Sequence, residues 1–308
     1  MNGLSLFDGM SCGQIALEKL GIKVDKYFAS EIDKYAIQVT QSNYPNTIQV
    51  GGVEFVTKEM INHKIGLLYG GSPCQSFSKA GNGKGFDGKS KLFWEFVRVL
   101  KETKPTYFLL ENVVMKKEWE QVITDTLGVE PIKINSSLVS AQNRNRLYWT
   151  NIQNINQPKD EGVALKDITE KGLTGLELEL SRGNLSFIPV DKHSSKNGLI
   201  CLGGVMKPNS KLWLNNGKLL QRNFPQGNRV YSEKGKTPTL SANSGGIGGK
   251  TGLYEIEGVI RKLTPIECER LQTVPDNYTN YVSDTQRYKM LGNGWTVDVI
   301  AHIFKSLS

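Results

Sequence analysis

Over the first 150 residues, short apolar runs alternate with stretches of helical spacing. Leu4–Phe7 reads as a strand, with a glycine turn after it. Gln14–Leu20 carries helical periodicity and stops at Gly21, a residue suited to the left-handed backbone beyond a helix end. Tyr27–Ser30 is a second strand, and a helix follows over about 33–44. Gly66–Tyr69 is a third strand. Residues 90–103 form an amphipathic helix, ended by the Lys104-Pro105 step because the residue before proline avoids the helical region. Tyr107–Leu110 is a strand that runs into Glu111-Asn112, Lys116–Leu127 is a helix, and Leu147–Ile152 is another strand. This alternation predicts an α/β fold with a parallel, doubly wound sheet.

The pattern changes after about residue 153. The stretch 154–252 is rich in Gly, Asn, Ser and Lys, with strand candidates at Asn228–Ser232 and Pro238–Ala242. Its turn signals predict a smaller, irregular, mostly β domain. Helical character returns at Thr264–Leu271 and Val297–Leu307.

Charge adds a direction. The chain of 308 residues carries a net charge of +8, and the excess is uneven. Residues 176–270 hold 14 Lys and Arg against 8 Asp and Glu, leaving only +2 for the rest. A polyanion would therefore sit on the later-middle third. The four cysteines (Cys12, Cys74, Cys201, Cys268) form no CxxC pair and lie far from the three histidines, so no metal site is expected. Widely spaced cysteines fit cytosolic thiols. No apolar run approaches the roughly 18 residues of a membrane span, and the N-terminus lacks a charged leader, so neither span nor signal peptide is expected.

Several loops then carry chemistry. Asp8-Gly9-Met10-Ser11 is a glycine turn between strand and helix, where nucleotide-like ligands dock in doubly wound folds. Alone it is equally an ordinary turn. Glu31, at the end of the second strand, suits the hydroxyls of a ribose. No GxxxxGK cradle is present, which argues against ATP or GTP. Gly70-Gly71-Ser72-Pro73-Cys74-Gln75 puts a cysteine past the carboxyl end of a central strand, in a polar glycine-rich loop that suits a reactive thiolate better than a structural one. The loop itself reads as a lid. Glu111 sits at another strand end, placed for hydrogen bonding or proton donation. In Gln142-Asn143-Arg144-Asn145-Arg146, extended geometry would project Gln142, Arg144 and Arg146 together. Their guanidinium forks suit phosphates and base carbonyls, or form a solvated basic edge.

In this order and spacing, the chain resembles the DNA (cytosine-5)-methyltransferase family along nearly its whole length. The matching pieces are Phe7-Asp8-Gly9, Glu31, Pro73-Cys74-Gln75, Glu111-Asn112-Val113, Gln142 to Arg146, Arg261 to Pro265 with Glu267 and Arg270, and Gly292-Asn293-Gly294. Gln226 to Ser232, with Pro238-Thr239-Leu240 and Gly245-Gly246, is similar to the target-recognition domain of small bacterial members.

The resemblance implies a Rossmann-like S-adenosylmethionine-dependent methyltransferase sheet. Residues 1–175 and 270–308 would form the catalytic domain, with a mostly β target-recognition domain, 176–269, inserted before the C-terminal helix. It implies a catalytic group of Cys74, Glu111 and Arg146, with Arg144 supporting the loop. Phe7, Gly9, Glu31, Ile32, Pro73, Leu92, Asn293 and Trp295 would hold the cofactor. Gln75, Ser76, Ser78, Gln226, Arg229, Thr239, Gly245 and Gly246 would meet DNA, with the stretches 76–88 and 241–249 approaching the duplex from opposite sides. Gln226 and Arg229 suit base-edge readout and equally suit phosphate contact or plain surface. The implied partner is double-stranded DNA, the implied state a monomer, and the implied setting the cytoplasm of a bacterial cell or phage-infected host. A cognate restriction endonuclease is an admissible further partner.

Three departures stand out. Gly52 occupies the place where the family usually has an Asp that accepts from the adenine amine, leaving Glu54 to substitute or the contact to be lost. Ser11 and Cys12 stand where bacterial members often have glycines. The last motif ends in Trp295, as in the animal de novo branch, whereas the recognition segment is similar to bacterial and phage members. Two other readings compete. A tRNA cytosine-5 methyltransferase of the same superfamily would carry a Cys-Phe-Thr signature, not found here. A non-catalytic DNA-binding member would have decayed Pro73-Cys74-Gln75 or Glu111-Asn112-Val113, and both are intact.

Overall fold

The computed structural model describes residues 1–73, 92–175, 177–178, 185–191, 195–207, 219–242 and 247–307. The chain forms two compact units, Met1–Asn135 with Asn145–Pro158 and Trp295–Ser308, and Ser136–Arg144 with Lys159–Gly294.

The first unit is α/β. Its strands are β1 (Gly3–Leu6), β2 (Tyr27–Ser30), β3 (Ile48–Gln49), β4 (Leu67–Gly71), β5 (Tyr107–Val113), β6 (Ile132–Asn135) and β7 (Asn145–Thr150), and they lie in the order β3-β2-β1-β4-β5-β7-β6. The pairings from β3 to β5 are parallel. β7 runs antiparallel to both β5 and β6, so the sheet is parallel over five strands and mixed at one edge. Its helices are α1 (Cys12–Lys19), α2 (Lys34–Asn43), α3 (Lys58–Ile61), α4 (Phe93–Thr103), α5 (Lys117–Leu127) and α8 (Val297–Phe304).

Strand alternation decides what packs where. Leu4, Leu6, Leu68 and Leu110 join one apolar cluster with Phe93, Phe96 and Val97 of α4 and Ile123 of α5. Tyr69, next along β4, points to the other face, where its ring meets Phe304 of α8 at 5.6 Å between centroids. Helices thus cover both faces, as a doubly wound sheet requires. α4 ends as the sequence implies, with Lys104 in the left-handed conformation (φ 43°) before Pro105.

The second unit holds an irregular sheet of β8 (Ser186–Pro189), β9 (Ser195–Lys196), β10 (Leu199–Met206), β11 (Arg229–Ser232), β12 (Leu253–Ile256) and β13 (Val259–Arg261), with helices α6 (Pro265–Leu271) and α7 (Asp284–Asn293). The expected strand at Pro238–Ala242 does not form. Proline removes a donor there, and the Leu240 amide donates to the Gln142 side chain at 2.9 Å instead of to a neighbouring strand.

The borders of the compact units differ from the expected division at 175 and 270. Residues 159–175 are drawn to the second unit by backbone bonds from Leu165 to Gly235 and from Lys166 to Glu233. Residues 136–144 and the two late helices join it through a buried amide network. There Gln142 donates to Leu271 O and Gln272 Oε1, and Gln272 donates to Leu291 O and Gly294 O. Among the described residues, no helix is long and apolar enough to cross a membrane.

Candidate active site

The turn after β1 is built from unusual backbone. Phe7, Gly9 and Ser11 all have positive φ, 58°, 59° and 60°. Such a conformation costs a non-glycine residue about 1 kcal/mol or more, so local bonds must hold it. They come from two carboxylates. Asp8 accepts from the Ser11 hydroxyl and from the Tyr27 hydroxyl at 2.8 Å. Glu31 Oε2 accepts the Gly9 amide at 2.7 Å, and its Oε1 accepts the amides of Ile32 and Asp33. Burial pushes the Asp8 carboxyl up to about 6, against the hydrogen bonds that hold it down.

This corner presents a carboxylate beside apolar surface. Glu31 Oε2 has made one bond and keeps acceptor capacity. The neighbouring Ile32 is 80% exposed, and Phe7 is half-buried against the core cluster. Space opens beside Gly9, where a Cβ would meet nothing within 4 Å. At Gly52, an added Cβ would lie 2.8 Å from Glu54 Oε2, so the Glu54 carboxylate fills the space of a residue-52 side chain.

The second cluster lies at the carboxyl ends of β4 and β5, where Gly71 pairs with Glu111. Glu111 is only 7% exposed and both its oxygens are held. Arg146 Nε meets Oε1 at 2.8 Å, and the Trp295 indole N–H donates to Oε2 at 3.0 Å. Antiparallel pairing explains the reach of Arg146. It lies opposite Val113, so Glu111, two residues back, is its diagonal neighbour on one face. Asn112 donates to the carbonyl and hydroxyl of Ser72, fixing the chain two residues before Cys74. The glycine at 71 is required by crowding. A Cβ there would lie 2.9 Å from Glu111 Oε2 and 3.0 Å from the Trp295 indole nitrogen.

Not every expected residue joins these clusters. Cys74, Gln75, Ser76, Ser78, Gly245 and Gly246 lie outside the described residues, as does the whole lid stretch 76–88. Arg144 departs from the expected shared projection with Arg146. It is buried in the second unit, where its guanidinium donates to the carbonyls of Leu240, Gly292 and Gly294. That arrangement organises backbone and leaves Arg144 no exposed fork for phosphate. Leu92 is half-buried against the core cluster at the start of α4, and Pro73 is half-buried. Asn293 ends α7 in the second unit. Trp295, expected at the cofactor, has its indole N–H on Glu111. In the second unit Gln226 is exposed, Arg229 Nε donates to Phe224 O at 3.1 Å, and the Thr239 hydroxyl donates to Asn143 O at 2.7 Å. Sequence reasoning missed Asn112 as an anchor and Trp295 as a partner of Glu111. The signal for Asn112 was its place within the matching Glu111-Asn112-Val113 piece.

The three described cysteines are all buried. Burial pushes the thiols of Cys201 and Cys268 up, which makes them poor nucleophiles.

Known proteins complete the picture. The sequence matches the family described as C-5 cytosine-specific DNA methylase over residues 1–308. It is 30% identical to the type II methyltransferase M.HhaI of Haemophilus parahaemolyticus, over 97% of this chain and 92% of that protein. It is 32% identical to the orphan methyltransferase M.Rho11sI of Bacillus phage rho11s over 83% of this chain, and there spans 61% of the phage protein's length. Among solved structures, the Entamoeba histolytica methyltransferase EhMeth shares the fold, with a TM-score of 0.71 at 17% identity, covering 100% of this chain and 99% of that one. By the match over its whole length, the chain belongs to the C-5 cytosine-specific DNA methylase family and is a DNA (cytosine-5)-methyltransferase.

Proposed function

We propose that the enzyme methylates carbon 5 of a cytosine flipped out of a specific duplex DNA sequence, through a covalent adduct at Cys74. The observation that carries this reading is the Glu111 carboxylate, buried, held on both oxygens and level with Gly71, the residue three places before Cys74 in the chain.

Carbon 5 of cytosine is a weak nucleophile within an aromatic ring. Covalent catalysis removes that obstacle. The Cys74 thiolate adds to carbon 6, forming an S–C bond and moving the ring electron pair to carbon 5. Glu111 accepts from the exocyclic amine and shares a proton with the ring nitrogen, so that the negative charge developing on the ring is neutralised. Arg146, already paired with Glu111, contacts the ring carbonyl. Once carbon 5 carries the methyl group, it gives its proton to a water molecule, the C–H electron pair re-forms the ring double bond, the S–C bond breaks and Cys74 leaves as thiolate, restoring aromaticity. The base is unstacked for this chemistry, at a cost of a few kcal/mol.

The cofactor corner fits S-adenosylmethionine. Glu31 would take the ribose hydroxyls, Ile32 and Phe7 the faces of the adenine, and the Gly9 turn the open approach beside them. Glu54, folded over Gly52, would stand in for the family's aspartate. Leu92 and Pro73 join them, carried over from the family. Bound S-adenosylmethionine supplies an electrophilic methyl group.

Target recognition falls to residues 176–269, which hold the basic excess. Gln226, Arg229, Thr239, Gly245 and Gly246 are its DNA-facing candidates, and Gln75, Ser76 and Ser78 face DNA from the Cys74 loop. The enzyme works as a monomer on duplex DNA, in the cytoplasm of a bacterium or phage-infected host. Relatives carry both type II and orphan names, so a modification role with a cognate endonuclease is one of two settings.

Transfer of tritiated methyl from labelled cofactor tests this. Wild-type protein labels duplex DNA and not tRNA, and Cys74→Ser labels neither above background. Undiminished DNA labelling by Cys74→Ser, or preferential labelling of tRNA, would contradict the reading.

A further inference from the structure

We infer that Trp295 is a positioning residue for Glu111, acting through its indole N–H; the inference rests on the role proposed above for Glu111. Two independent features of the site support it. The indole nitrogen is the donor to Glu111 Oε2 at 3.0 Å, while Arg146 takes the other oxygen at 2.8 Å. Glu111 thus meets an N–H on each oxygen, from two residues far apart in the sequence. The neighbouring backbone is also shaped for this pair. The Cβ that any other residue would add at Gly71 would press on both the Glu111 oxygen and the Trp295 nitrogen, at 2.9 and 3.0 Å.

The indole is itself anchored. Its ring lies 6.0 Å from the Tyr69 ring, and Tyr69 is fully buried and packed on Phe304 at 5.6 Å. The Tyr69 hydroxyl donates to Tyr27, whose hydroxyl donates to Asp8 in the turn after β1. A rigid bicyclic donor backed by a packed aromatic row fixes the carboxylate rotamer with little entropy left to lose. Each oxygen of a carboxylate accepts more than one bond, so both clamps leave acceptor capacity for a base. A shorter polar side chain at 295 would not span from this backbone position to Oε2 with the same rigidity.

The test is a double-mutant cycle on the full-length enzyme. Trp295→Phe keeps the aromatic packing and removes the N–H. Loss of a preorganised donor at the site lowers kcat by roughly ten- to a hundredfold, with KM for DNA and for S-adenosylmethionine little changed and the melting temperature lowered only as far as one lost buried hydrogen bond requires. In a Glu111→Gln background the same replacement changes kcat by less than about twofold, because two residues acting as one unit are not additive. If Trp295→Phe instead raises KM for the cofactor at unchanged kcat, the indole serves the cofactor and the inference falls. Equal loss of kcat in both backgrounds also overturns it. Failure of the Glu111 role itself would appear separately, as full activity in Glu111→Gln alone.

Discussion

Glu111→Gln lowers kcat by roughly a hundredfold or more, the scale of a lost acid–base or charge-stabilising group, with KM for either substrate little changed. Glutamine has the same length and nearly the same shape, so the loss is not one of packing. The wild-type carboxylate presents two acceptors, one to Arg146 and one to the Trp295 N–H. The amide presents one acceptor and one NH2, and whichever way it turns a donor faces a donor. The buried mismatch costs about 1–3 kcal/mol of stability, so activity should be measured well below the melting temperature. Single-turnover methyl transfer at saturating DNA and cofactor checks the result. A defect confined to KM would mean that Glu111 shapes binding and not the chemical step.

Glu267→Gln acts on the fold instead, lowering stability by about 3–5 kcal/mol, the cost of breaking a buried ion pair from one side. Glu267 is completely buried and takes four donors on two oxygens. Arg261 reaches it through both terminal nitrogens, at 2.8 and 2.6 Å. The amides of Thr264 and Glu170 complete the set at 2.8 and 3.0 Å. The Glu267 amide donates in turn to the Thr264 hydroxyl, a reciprocal cap on α6 with Pro265 in the first turn. This segment is one of those that mark the family in the sequence, and its work in the structure is to close α6 onto β13 within the second unit. Urea unfolding followed by fluorescence reads the change. A loss under about 1 kcal/mol would contradict this assignment.

Much of the first unit was legible because its elements obey simple periods. β2 spans Tyr27–Ser30 as the apolar run implies, and α2 begins after Asp33, whose side chain caps the Tyr35 amide. Other elements gave weak signals. α3 is a single turn and β3 two residues long. α7 buries Arg287 beside Met290 and Leu291, so its inner face does not read as apolar. Arg287 is accommodated there by the buried Glu269 at 3.1 Å. The edge strands were the main geometric surprise. A βα alternation implies parallel neighbours, whereas β7 reverses against β5. That reversal sets Arg146 diagonal to Glu111 and starts the strand at Asn145, so the alternation expected from Gln142 onward does not carry across Arg144. Gln142 and Arg144 instead enter the polar network of the second unit. Gly71 shows a different limit. Its neighbours in sequence suggest a ligand approaching the backbone, and the crowding comes from Glu111 and Trp295, far away in the chain.

The central claim is that Cys74 bonds to the target base while Glu111 and Arg146 stabilise the ring. Replacing the target cytosine by 5-fluorocytosine tests it most directly, since fluorine cannot leave as a proton does and the adduct cannot resolve. Duplex DNA containing the enzyme's site, incubated with enzyme and S-adenosylmethionine, should give a stable protein–DNA species, with peptide mass mapping the attachment to Cys74. No adduct, under conditions where ordinary duplex DNA is methylated, or an adduct at any other residue, would contradict the account.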